Sequence, residues 1–376
     1  MAKKKVEDGL VELAGEFLVK PPQIENGKLK TPRWKTGIAS LDRLTDGGFP
    51  KGKGVSLGSE EGVGKTTLLL ETALNQMNMY GTRVVYIDTE GGGTYDLAQG
   101  IGIDYTNYLY HPEHNKKGKF FFYSATTIQE VAKICKVALE DETVSLVVID
   151  STTQVTDQTA LDEDDLGTSK NPIGESARMW SSALRKIGAI VNRSQATLVT
   201  VNQARNKQAP GMAMAMIMAP SGGKAQKHFA TIEIWGTRKK YLGENDTIGV
   251  KKAEAIGAQI QLTTLKNRLG LPFRSVDTYI YFGKGVSNKW EYKQWLEEHT
   301  IEDRATGEIR PILVTGSYSS LLLPSGEKNM VDGKRARGSD DVWRLMEDNW
   351  DEILQFVDDN GGFKTTVNTT LEDLED

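Results

Sequence analysis

The stretch from Val55 to Thr67 constrains this chain more than any other. Val55, Ser56 and Leu57 run into Gly58, Ser59, Glu60, Glu61, Gly62, Val63, Gly64, Lys65, Thr66 and Thr67, and an apolar helical pattern follows. A strand that turns through glycines into a helix aims several backbone N–H groups and a helix N-terminus at one point, which suits a phosphate group. In that frame Lys65 reaches the β- and γ-phosphates of a nucleotide, and the Thr66 hydroxyl joins the shell of a Mg²⁺ ion. The spacing departs from strict GxxxxGK[ST]: the first glycine of that pattern falls on Ser59, with Gly58 just before it. A glycine-rich turn carrying an unrelated lysine is the plain alternative, and it would need no partners elsewhere in the chain.

Partners are present. An apolar run, Leu146 to Ile149, ends in Asp150. At a switch point of a parallel sheet, a carboxylate there faces the glycine-rich loop and orients a water on Mg²⁺. A second run, Val84 to Ile87, ends in Asp88 and Glu90. Taken alone, these two acids read as strand-end caps. Beside a phosphate loop, Glu90 becomes the candidate acceptor for a proton of the hydrolytic water.

Short β-branched runs at 54–57, 84–87, 146–149, 198–201, 231–235, 260–265 and 279–282 alternate in the first half with helical spacing of Leu, Ala and Met. That alternation predicts an α/β fold with a mostly parallel sheet. Residues 1–30 read as an amphipathic oligomerisation helix, Leu10 to Leu18, and a linker at Pro21 and Pro22; 31–290 as the core; and 291–376 as a small C-terminal α+β domain with an acidic tail. One helix is expected over 340–357. The chain has 38% apolar and 26% charged residues, which excludes wholesale disorder. Cys135 is the single cysteine, so an internal disulfide framework and a cysteine zinc site are excluded, and the four histidines lack metal-ligand spacing. No apolar run approaches the roughly 20 residues of a membrane span, and no secretory signal is expected at the start. The net charge is −5, yet ten acids and one lysine between Glu347 and Asp376 leave the rest of the chain at +4. Such a tail either covers basic surface or docks a partner.

Together these residues resemble the RecA family of ATP-dependent DNA strand-exchange recombinases. The likeness extends to Thr36 to Asp42 before the loop, to Glu175 to Ile187, to Val201 to Arg205, and to Lys266, Asn267 and Arg268 followed by Pro272 and Phe273. It covers about residues 31–287 and continues more loosely through Lys334 and Trp343 to Val357; divergent spacings and the acidic end are more like the phage recombinases. The resemblance implies a RecA-like P-loop ATPase core using ATP and Mg²⁺. By position, Ser59 to Thr67 and Asp150 bind ATP. Glu90 is the catalytic carboxylate, Gln203 the γ-phosphate sensor, and Lys266 and Arg268 contact the neighbouring subunit's ATP. Thr66 and Asp150 serve the metal, the latter through water. It further implies filaments on single-stranded DNA, pairing with duplex DNA, a single-strand binding protein or loader as partner, no membrane, and the cytoplasm of a bacterial or phage-infected bacterial cell. Two departures stand out: the family's adenine-stacking tyrosine falls on Leu97, with Tyr95 two residues earlier, and its interface aromatic falls on His228, with Phe229 next.

Two segments without clear periodicity, 156–172 and 205–224, fit DNA-binding loops. In the second, Met212, Met214, Met216 and Met218 stand between Arg205, Lys207 and Lys224, with Gly222 and Gly223 near its end. Cations at the flanks suit phosphates, and flexible apolar side chains suit wedging between bases. Ile173 is the equivalent wedge after the first segment. Helical spacing puts Arg178, Ser181 and Arg185 on one face as phosphate contacts. A RecA-like ATP-dependent assembly or helicase-type switch protein without strand exchange is the competing reading; Lys266 and Arg268 together with Arg178 to Arg185 argue for the recombinase.

Overall fold

The seven expected runs become strands of one large sheet, joined among the described residues by two more along its path and by the short strand Met216–Pro220 off it. The computed structural model describes residues 23–25, 28–91, 94–152, 155–156, 172–208, 216–220, 228–244 and 247–360. The sheet strands are β1 (Gly54–Ser59), β2 (Arg83–Asp88), β3 (Phe120–Ser124), β4 (Val144–Asp150), β5 (Thr197–Gln208), β6 (Ile232–Leu242), β7 (Gly257–Asn267), β8 (Ser275–Tyr281) and β9 (Gly285–Ser287). Their order is β3-β2-β4-β5-β1-β6-β7-β8-β9. From β3 to β6 neighbours run parallel, and β7 to β9 continue the sheet antiparallel.

Helices cover both faces, which is why β1 and β4 are buried along their whole length. The period of two along β4 divides its side chains: Leu146 and Val148 join Leu69, Ala73 and Met77 of α1 (Lys65–Tyr80) on one face. Val147 and Ile149 join Val131 and Cys135 of α3 (Ile128–Glu140) and Leu184 and Ile187 of α4 (Pro172–Val191) on the other. Between them in sequence lies α2 (Thr94–Ile101), which packs Ala98 and Ile101 on the α1 side. A reciprocal cap between Thr127 and Glu130 starts α3. Burial of Cys135 pushes its thiol up to about 12, so it is an inert core group.

After β9 the chain builds a small α+β unit. Helices α5 (Lys289–Glu298), α6 (Gly338–Asp348) and α7 (Trp350–Asp359), with short antiparallel pairs between them, gather Trp295, Leu296, Ile312, Leu321, Trp343, Ile353 and Val357 into a separate apolar cluster. The single helix expected over 340–357 is two, because the chain breaks at Asn349, whose amide donates to the Leu345 carbonyl at 2.8 Å. Trp290 stacks on Tyr279 of β8 at 4.6 Å and joins the unit to the sheet.

Other expectations change. Strand β3 was not expected, and it forms the sheet edge next to β2. The segment 205–224 is not irregular throughout: Met216–Pro220 pairs antiparallel with Ala204 to Gln208, extending β5 into a hairpin. Alternating side chains suit an extended strand, and Pro220, with no N–H to give, sits at its end. Within 23–30, Gln23–Glu25 pairs with Lys28–Lys30, whereas the expected helix before it lies outside the described residues, as do 157–171, Met212, Gly222, Gly223 and Lys224. Among the described residues no helix is long and apolar enough to cross a membrane.

Candidate active site

The glycine-rich loop links the end of β1 to the start of α1, and its departure from strict spacing has a packing cause. A Cβ on Gly58 would stand 2.7 Å from the Trp235 ring of β6, so this glycine serves the sheet and not the loop. Ser59, fully buried, then closes the strand and its Oγ accepts from Lys65 Nζ at 2.9 Å. Lys65 also donates to the Glu60 carbonyl at 2.9 Å. Burial pulls the Lys65 pKa below the ordinary lysine value, while Asp150, Glu90 and Glu61 pull it back up. Gly64 caps α1 at φ +100, and a Cβ there would lie 2.5 Å from Ile280, so only glycine fits. Val63 and Thr67 pack inward, and Glu60, Glu61 and Gly62 are exposed.

Beside the loop, Thr66 Oγ1 donates to Asp150 Oδ2 at 2.7 Å, and the Tyr86 hydroxyl donates to the same oxygen at 2.6 Å. Burial pushes the Asp150 carboxyl up, and these two hydrogen bonds oppose it. One hydroxyl and one carboxylate are hard oxygen donors that leave most of a coordination shell to phosphate and water, which fits Mg²⁺. Among the described residues no group of three or more His, Cys, Asp or Glu could hold a metal unaided.

Asp88 does act as a cap: its Oδ1 accepts the N–H groups of Glu90 and Gly91 at 2.9 Å, and Oδ2 accepts Thr94 Oγ1 at 3.0 Å. That turn presents Glu90, whose Oε1 accepts from Gln203 Nε2 of β5 at 2.9 Å. The contact spans β4, which lies between β2 and β5. Strand ends around it are tied together, Thr152 Oγ1 donating to Asn202 Oδ1 at 2.7 Å and Asn202 Nδ2 to Ser56 Oγ at 2.8 Å. Tyr86 and Asn202 were not singled out from the sequence; a polar atom inside an otherwise apolar strand was the available signal.

Lys266 and Arg268 stand at the opposite end of the sheet from their own loop. Ile232 pairs with Val55 and with Asn267, while Gly236 pairs with Ser59, so four residues of strand, roughly 13 Å, separate the two levels. Lys266 donates to the Ala230 carbonyl; burial and the nearby Arg268 lower its pKa, and Glu233 raises it. Arg268 lines a cleft of about 430 Å³ with Ser181, Arg185, His228 and Phe229. The structure therefore brings a proposed ATP contact and proposed DNA contacts into one cleft. Arg178 is exposed one turn before Ser181, and Ile173 starts the same helix. Arg205 and Lys207 stand opposite Ala219 and Ile217 in the hairpin. The Phe229 ring fills the space that Cβ atoms on Gly54 and Gly188 would contest, which leaves His228 exposed. Leu97 packs against the core, and Tyr95 stands exposed with its ring 4.4 Å from Phe122.

Fold and site together define a P-loop ATPase of the parallel α/β class. The family model of the RecA N-terminal domain matches residues 23–287, and the chain belongs to the RecA family of recombinase-like ATPases. Protein RecA of Staphylococcus aureus strain JH9 and Protein RecA of strain Newman are each 28% identical over 297 residues, covering 78% of this chain and 76% of theirs.

Proposed function

We propose that this chain polymerises on single-stranded DNA and catalyses homologous pairing and strand exchange, with DNA-stimulated ATP hydrolysis at subunit interfaces. The observation that carries the reading is the Gln203–Glu90 hydrogen bond. It joins the carboxylate beside the phosphate loop to the strand that leads into the basic, Met-rich hairpin, so an event at either place is felt at the other. The strand register supports sharing between subunits, because Lys266 and Arg268 lie too far from their own loop to serve it.

In this scheme Lys65 exchanges its Glu60 carbonyl for β- and γ-phosphate oxygens. Glu90 takes a proton from the attacking water as the water oxygen bonds to the γ-phosphorus and the β–γ bridging oxygen leaves with ADP. Thr66 and, through water, Asp150 would hold Mg²⁺, which when bound neutralises phosphate charge. Gln203 gains or loses its γ-phosphate partner and biases the hairpin. Arg178, Ser181, Arg185, Arg205 and Lys207 position the strand through its phosphates. In trans, Lys266 and Arg268 supply charge to the neighbour's γ-phosphate.

Titrating single-stranded DNA into an ATP hydrolysis assay tests the link. Wild type is stimulated, and Gln203→Ala keeps DNA-free hydrolysis while losing the stimulation. An unstimulated wild type, or stimulation intact in Gln203→Ala, contradicts the reading.

A further inference from the structure

The outer side of the glycine-rich loop is held by a residue with no role so far. Strand β6 runs parallel to β1 as far as the pair Gly236–Ser59 and then continues past the loop, paired only with β7 on its other side among the described residues. Gly236 lies against the loop, since a Cβ there would be in van der Waals contact with Ser59 Cβ and Val63 Cγ1 at 3.4 Å. Two residues on, Arg238 Nη1 donates to the Gly62 carbonyl at 3.1 Å, and its guanidinium lies 5.0 Å from the centroid of the Tyr241 ring.

Among the described residues, the loop is otherwise held by the buried Val63 side chain and at its two ends. Lys65 bonds Ser59 and Glu60 on the entry side, and Ile280 packs beneath Gly64 on the exit side. At the apex Gly62 sits at φ +68, and a Cβ built on it would meet nothing within 4 Å. A planar trans peptide points its carbonyl and its N–H in opposite directions. Holding the Gly62 carbonyl outward therefore aims the Val63 N–H inward, toward the phosphate cradle.

We propose that Arg238 is a positioning residue of the nucleotide site, fixing the Gly62–Val63 peptide so that the Val63 N–H faces the phosphates of a nucleoside triphosphate. The proposal rests on the reading of the loop as a phosphate cradle. Without Arg238 the peptide next to a glycine rotates easily, and one preorganised donor is lost.

Equilibrium binding of a fluorescent ATP derivative to the full chain, without DNA, tests this in wild type, Arg238→Ala, Arg238→Lys and Lys65→Ala, alongside kcat and KM for DNA-free hydrolysis. Arg238→Ala weakens nucleotide binding about 3- to 10-fold, the size expected for one lost hydrogen bond. KM rises by the same factor while kcat moves less than about twofold. Arg238→Lys, still able to donate to a single carbonyl, recovers most of the affinity. Unchanged binding in Arg238→Ala beside lost binding in Lys65→Ala overturns the role of Arg238 and leaves the loop reading intact. Unchanged binding in Lys65→Ala overturns the loop reading and the proposal with it. An Arg238→Ala defect confined to DNA binding assigns the side chain to DNA contact, and equally overturns the proposal.

Discussion

Glu291→Gln should make the protein more stable at pH 8 and nearly neutral in effect at pH 5. Glu291 lies in the first turn of α5, buried against Ser40 and Thr278, and neither of its carboxylate oxygens has a hydrogen-bond partner among the described residues. Burial raises its pKa from 4.5 to about 7, and the adjacent Ser40 and Thr278 hydroxyls soften the cost without reaching hydrogen-bonding geometry. The folded state thus holds this proton more tightly than the unfolded state. Its contribution is complete below pH 4.5 and is lost as pH rises through 7. At about 1.4 kcal/mol per pH unit, the difference amounts to at most about 3 kcal/mol at pH 8. An amide is neutral throughout and keeps the shape, so Glu291→Gln removes the slope. Urea unfolding followed by tryptophan fluorescence at pH 5, 6, 7 and 8 checks this, since Trp290, Trp295 and Trp343 report on the same unit. Parallel pH profiles for the two proteins, or a less stable glutamine variant at pH 8, would refute the reasoning.

Three other outcomes are expected. Lys65→Ala lowers ATP hydrolysis by about 10²-fold or more, because nothing else in the loop supplies a positive charge to the phosphates; its thermal unfolding midpoint stays close to wild type. Glu90→Gln lowers hydrolysis about 10²- to 10⁴-fold while ATP and single-stranded DNA binding persist, since the amide keeps the contact to Gln203 but accepts a proton poorly; joint loss of binding and hydrolysis would mark Glu90 as structural. Mixing Arg268→Ala with Lys65→Ala gives activity different from the sum of the separate proteins, because a shared interface creates some junctions with both partners intact, and strict additivity in the hydrolysis rate counts against sharing.

The parts of this molecule legible in its sequence are those set by local chemistry. Gly62, Gly64, Lys65 and Thr66 announce a phosphate loop because few other structures need that order, and the apolar runs ending in Asp88 and Asp150 announce strands whose C-terminal ends carry acids. Strand order is not local. Gln203 and Glu90 lie 113 residues apart and meet only because β4 alone separates β5 from β2. Arg238 reaches Gly62 because β6 outruns β1, which no spacing reveals. Phe120 to Ser124 lack the β-branched alternation that flagged other strands, since an edge position exposes Tyr123 and Ser124 while burying Phe120. Glycines and prolines after Gln203 favour a loop, whereas pairing with β5 decides the conformation of 216–220. Gly58 read as part of a shifted phosphate motif, and only Trp235 on a distant strand explains it.

Homology-dependent joining of DNA strands tests the central claim most directly. A circular single strand, a homologous linear duplex, ATP and Mg²⁺ are incubated with the full chain, and joint molecules are resolved by gel electrophoresis. The account predicts joint molecules and displaced strand with homologous DNA, none with heterologous DNA, and none with Lys65→Ala. Vigorous DNA-stimulated ATP hydrolysis without any homology-dependent joint molecules would contradict it and mark the chain as an assembly or switch ATPase on the same fold.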